Sequence, residues 1–104
     1  MNKEVRELHQ PDHQALSECL NTSFQISSSN GQSARLTLKH VSTNVVLPHQ
    51  EHFSILFHGP PAPFFFQGSY VLNHEKLGEF DLFVVPVGKV DGGYEYEAIF
   101  NRIR

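Results

Sequence analysis

The sequence predicts an all-β domain, a small barrel or sandwich of about six antiparallel strands with one short N-terminal helix. Three observations point there. Segments with apolar residues at every second position recur through the 104 residues, which is the period of a strand with one buried face. Clusters of Ser, Asn, Gly and Pro separate those segments as hairpin and loop chemistry does. Only one stretch, 12–21, has helical spacing. A sheet with this many apolar positions must close or stack to hide them.

Residues 1–10 carry no period and are read as a loose lead-in, which leaves 11–104 as a single β domain. Asp12, after Pro11, is suited to cap a helix. Ala15, Leu16, Cys19 and Leu20 then share one face, and Asn21 fits the left-handed exit. Such a helix covers one end of a sheet. Phe24 and Ile26 point one way in a first strand, and residues 28–32 (Ser-Ser-Asn-Gly-Gln) are turn chemistry. In a second strand Arg35, Thr37 and Lys39 alternate with Leu36, Leu38 and His40. Residues 42–51 are polar and broken by Pro48, so they read as a connection. Phe53, Ile55 and Phe57 share a face of a third strand that ends at Gly59.

Residues 59–63 (Gly-Pro-Pro-Ala-Pro) cannot extend a ladder, because proline has no amide donor, and form a stiff loop. Gly68, Tyr70 and Leu72 line one side of the next strand, and residues 74–78 turn the chain into the segment 78–88. There Phe80 and Leu82 alternate with Glu79 and Asp81, after which Phe83, Val84 and Val85 are apolar on both faces. This predicts a strand passing from a half-exposed to a buried position. Gly88 to Gly93 supply the positive-φ residues of a reversal. Tyr94, Tyr96, Ala98 and Phe100 then alternate with Glu95, Glu97, Ile99 and Asn101 as the last strand.

The single Cys19 forms no internal disulfide and suits a reducing compartment. The first ten residues lack the apolar centre of a signal peptide, and no run approaches the roughly 20 apolar residues of a membrane span. A cytoplasmic protein without membrane contact is expected. The formal net charge of −3 disfavours a binder held by phosphate neutralisation.

Several segments together resemble a family of small bacterial, mainly-β domains of unknown function. They are 53–57 with Gly59 and Pro60, 67–70, Leu77 and Gly78 with 82–88, 96–101, and the earlier 16–24 and 36–41. The resemblance implies a mainly-β single domain of bacterial origin. It implies no activity, cofactor or site residue.

Chemistry-bearing residues are present but do not converge by spacing. Among seven histidines, His49, His52 and His58 lie near Glu51, yet a zinc site needs three or four ligands arranged tetrahedrally, and two histidines three apart in a loop do not supply that. No metal and no cofactor are expected. Glu79 with Asp81, and Glu95 with Glu97, would come together if their strands paired side by side, although a solvated outer sheet face is the ordinary reading of such alternation. No nucleophile stands in an elbow context, and an enzyme is not expected.

The unusual stretch is Phe64, Phe65 and Phe66 behind the proline loop. Neighbouring residues of an extended chain point to opposite sides, so at least one ring is expected on the surface or against another molecule. The expected function is a non-enzymatic protein-interaction or assembly module. It would form a dimer, or meet an unknown protein partner, through Phe64, Phe65, Phe66, Gln67 and Tyr70 and the edge of the strand they begin. The alternative is a nucleic-acid-binding small barrel, Sm-like or OB-like, using Arg35, Lys39, Arg102 and Arg104 with an aromatic ring.

Overall fold

The structure, a computed structural model, describes residues 10–103. It holds a short helix, α1 (His13–Ser17), and seven strands: β1 (Ser23–Ser27), β2 (Ser33–Val41), β3 (Val45–Leu47), β4 (Gln50–Gly59), β5 (Gly68–His74), β6 (Gly78–Val90) and β7 (Gly93–Ile103). The sheet runs β2-β1-β5-β6-β7-β4, and a further β2–β4 pairing joins its ends. Every pairing is antiparallel. A closed six-stranded barrel results, and closure removes the exposed edges an open sheet would present.

β6 is the hinge of that closure. Its first half pairs with β5 from Gly78↔His74 to Val84↔Gly68, and its second half pairs with β7 from Val85↔Glu97 to Val90↔Gly93, with a bulge between Pro86 and Gly88. Proline is tolerated at such a break because the ladder does not need its missing donor there. The strand expected over 78–88 therefore continues to Val90, and Asp91 with Gly92 (φ 82°) makes the reversal.

The interior is filled from every strand of the ring. Phe24 stands edge-on to Phe57 and Phe80 with centroids 5.3 and 6.4 Å apart, and Phe53 stacks on Phe100 at 4.6 Å. Ile26, Leu36, Leu38, Ile55, Leu72, Leu82, Val84 and Ala98 complete a core with almost no solvent contact. Burial of each large side chain stabilises the fold by about 1.5–3 kcal/mol.

Helix α1 closes one end. Asp12 Oδ1 accepts from the Ala15 N–H at 2.8 Å, Leu16 and Cys19 enter the core, and Asn21 exits at φ 65°. His13 packs its ring edge on Phe53, and its Nε2–H donates to the Ser42 carbonyl at 2.7 Å. Arg102 stands over Phe53 and Phe100 and donates to the carbonyls of Gln10 and Pro11, tying the incoming chain to β7.

Four expectations are corrected. Residues 42–51 contain a strand, β3, which continues past β2 along the same side of β4 with Val45↔His52 and Leu47↔Gln50. Its exposed apolar residues lack the alternation that marks a half-buried strand. His40 does not share the face of Leu36 and Leu38, because a bulge between Leu38 and His40 shifts the register and turns the imidazole outward. Phe83 and Val87 are about half exposed, since the ring has only one inner face and β6 offers it alternate residues. Leu20 lies at the surface as the helix ends before it. Of the expected lead-in 1–10, all but Gln10 lies outside the described residues.

Candidate functional site

The end of the barrel opposite α1 is closed by the loop of residues 60–67. Its position depends on a close crossing of β4 and β7. A Cβ on Gly93 would lie 1.8 Å from the Gly59 carbonyl oxygen, and one on Gly59 would meet Leu36 Cδ2 at 2.6 Å. At Gly93 only glycine permits that approach, because the obstacle is backbone, whereas at Gly59 it is the end of a leucine side chain that can shift.

Beyond the crossing the chain passes a cis Ala62–Pro63 bond and reaches the three phenylalanines. Phe65 turns inward and is 2% exposed. Its N–H donates to the Tyr96 hydroxyl at 3.0 Å, and its ring stands edge-on to Tyr70 at 5.3 Å. Tyr96 is itself buried, and that burial pushes its phenol upward, with the Phe65 hydrogen bond acting the other way. Phe64 and Phe66 point to the other side. Phe64 is half-buried edge-on against Tyr94 at 4.7 Å, and Phe66 rests on it at 5.0 Å and 85° with three quarters of its surface (74%) open. The Tyr70 hydroxyl donates to the Phe66 carbonyl at 2.6 Å. The exposed ring thus sits on backbone held from both sides.

A trough of about 490 Å³ separates this loop from the β1–β2 turn. That turn is tightly made: the Ser28 N–H donates to the Gln32 carbonyl at 2.9 Å, and Asn30 Oδ1 accepts from the Ser28 hydroxyl and the Gln32 N–H. β1 pairs with β5 only from Val71 to Asn73, so Gly68, Ser69 and Tyr70 form a short stretch of β5 beyond the end of β1. A second recess of about 330 Å³ continues the trough along Ser27, Val71 and Asp81. Among the described residues no Lys or Arg lines either space.

The expected interface residues therefore divide. Phe64, Phe66, Gln67 and Tyr70 belong to the rim. Phe65 does not, because it is the plug of the core.

The expected cations are scattered. Arg35 and Lys39 are exposed on β2, Arg102 is committed at the opposite end, and Arg104 lies outside the described residues. Register puts Thr37 opposite His58 and Arg102 opposite Glu51, seven positions apart along β4, or roughly 23 Å.

The four carboxylates do not meet either. Glu79 and Asp81 face β5, whereas Glu95 lies opposite Gly88 and Glu97 opposite Val85. Glu95 instead pairs with His58 at 2.9 Å. Glu51 accepts from Asn44 Nδ2 at 2.7 Å, away from any imidazole cluster, and no group of three metal-ligating side chains exists among the described residues.

His74 and Cys19 have perturbed proton affinities without a catalytic setting. Thr22 Oγ1 donates to the Cys19 carbonyl and so accepts from His74 Nε2–H at 2.8 Å, while His74 Nδ1 accepts the Lys76 N–H at 3.0 Å. Burial lowers the imidazole pKa and pushes the Cys19 thiol up, leaving the thiol a poor nucleophile.

A separate apolar flank carries exposed Val45, Val46, Ile99 and Ile103 on β3 and β7. It adjoins a shallow space of about 650 Å³ bordered by His40, His52 and Glu97.

Fold and site together define a small closed antiparallel β-barrel with an aromatic plug at one end and an exposed ring beside a neutral trough. The chain belongs to the DUF6916 family of domains of unknown function, whose model matches residues 11–100. No curated protein and no solved structure matches it. No helix among the described residues is long and apolar enough to cross a membrane.

Proposed function

We propose that this domain is a non-enzymatic interaction module whose contact surface is the rim of Phe64, Phe66, Gln67, Tyr70 and the adjoining end of β5. Phe66 carries the reading: a ring 74% exposed on a loop whose neighbouring residue is locked into the core. Holding an exposed aromatic in one place forgoes the conformational entropy that a free loop would retain, and it lowers the ordering cost of binding. Aromatic anchors of this kind recur at protein interfaces.

The assembly proposed for the free protein is a dimer through this rim. A formal net charge of −3 sets up little repulsion between copies. A stable contact buries roughly 800 Å² per partner, about an eighth of the 6403 Å² surface. Sedimentation of the wild type, Phe66→Ser and Ile99→Ser tests this. The rim predicts a concentration-dependent dimer that Phe66→Ser returns to monomer while Ile99→Ser does not. A dimer broken only by Ile99→Ser would move the contact to the flank, and a monomeric wild type would remove self-association. Nothing in the arrangement favours the nucleic-acid alternative, since neither Arg35 nor Lys39 lines the trough.

A further inference from the structure

We infer that the trough beside Phe66 binds a neutral saccharide. The inference rests on the rim being a recognition surface, not on the partner being a second copy.

The chemistry of the walls narrows the ligand. One wall is aromatic, with Phe66 leaving at least one face open. The other presents short neutral groups: the hydroxyls of Ser29 and Ser69 and the side-chain amide of Gln32 make no hydrogen bond among the described residues, and Asn30 has its Nδ2 to offer once its oxygen is committed to the turn. A pyranose carries C–H bonds on one face and hydroxyls around its edge. The C–H face suits the negative face of an aromatic ring, and the hydroxyls suit side chains that both donate and accept.

The size is suitable as well, since ligand sites commonly span about 300–1,000 Å³ and the trough holds about 490 Å³. With no Lys or Arg in its lining and the Asp81 carboxylate in the adjoining recess, phosphate, nucleic-acid and uronate ligands would lose solvation without gaining a counter-charge. An added peptide strand is disfavoured too, because only Gly68 to Tyr70 of β5 extend beyond β1, short of the roughly five or six residues of a typical strand. The walls are already fixed by the Tyr70–Phe66, Tyr96–Phe65 and Ser28–Gln32 hydrogen bonds, so little ordering remains to oppose binding.

Amide chemical-shift titration of the full chain with neutral malto-, cello-, xylo- and chito-oligosaccharides, alongside polygalacturonate oligomers, tests this. At least one neutral probe should give saturable shifts confined to residues 28–32 and 64–70. Phe66→Ala should weaken that binding about tenfold, the scale of one good aromatic contact, and Gln32→Ala should weaken it less. Both residues are exposed, so the variants' own spectra establish that they fold.

Absence of saturable shifts with every neutral probe overturns the inference, as does equal or tighter binding of the anionic oligomer. If no sugar binds while Phe66→Ser still dissociates a dimer in sedimentation, the saccharide falls and the interaction module stands. If sugar binds without dependence on Phe66, the saccharide site beside that ring falls, and the interaction module stands or falls on the sedimentation result.

Discussion

The two ends of the barrel are sealed by different means, and the contrast locates the surface proposed for function. At the α1 end every aromatic neighbour is used internally: His13 covers Phe53, Arg102 covers Phe53 and Phe100, and His74 lies 4.4 Å from Phe24. At the other end a single ring, Phe65, fills the core, and the residues on either side of it are turned outward by the alternation of an extended chain. The helical cap buries Leu16 and the turn behind it buries Cys19, which leaves the aliphatic Leu20 partly exposed but no aromatic ring over. Sealing with an extended loop leaves every second side chain over. Phe66 is that remainder.

The comparison breaks most readily at the crossing that admits the loop. Gly93→Ala would drive a methyl group into the Gly59 carbonyl, with separation of β4 from β7 as the only relief. A loss of about 3 kcal/mol or more in chemical denaturation is expected. Retention of wild-type stability would show that the two strands do not cross closely.

Removal of the plug is of similar size. Phe65→Ala should cost about 3–5 kcal/mol, while Phe66→Ala, one residue away, should stay within about 0.5 kcal/mol of wild type. Equal effects in thermal melts would erase the distinction between plug and rim.

At the helical end the test is pH. His74 is buried neutral with Nδ1 accepting backbone N–H groups, and burial holds its folded pKa below 6.5, with Glu75 opposing and Lys76 reinforcing. As pH falls through 6.5 the unfolded chain takes up the proton first. The contribution of the neutral ring is therefore complete above 6.5, is lost as pH falls toward the depressed folded value, and changes no further below it. The denaturation midpoint should fall between pH 7.5 and 5, and His74→Gln should flatten that slope. An unchanged slope would remove His74 as its source.

The smallest effect belongs to the cap. Asp12→Ala removes the acceptor of the Ala15 N–H and should lower stability by about 1 kcal/mol, with the rim unaffected in amide spectra. Shifts spreading to residues 64–70 would mean that the two ends are coupled.

Much of this architecture was legible in the sequence because strand alternation and helix capping are local. Phe24 and Ile26, Phe53 to Phe57, and Tyr96 to Phe100 announce their buried faces at every second residue, and Asp12 with Asn21 bound the helical segment. What failed was non-local. The bulges beside His40 and Pro86 shift register where β2 meets β4 and β6 meets β7, β3 owes its pairing to an edge of β4, and Glu95 meets His58 because the β4–β7 register sets the two directly opposite each other.

The triple phenylalanine shows the same division. Its sequence required that the rings part company, since adjacent side chains of an extended segment cannot face one way. Which ring enters was settled by a partner 31 residues away, the Tyr96 hydroxyl, whose position depends on the whole β4–β7 ladder. Period and propensity are properties of neighbouring residues, whereas closure, register and the choice of plug are properties of segments that meet only once the barrel has formed.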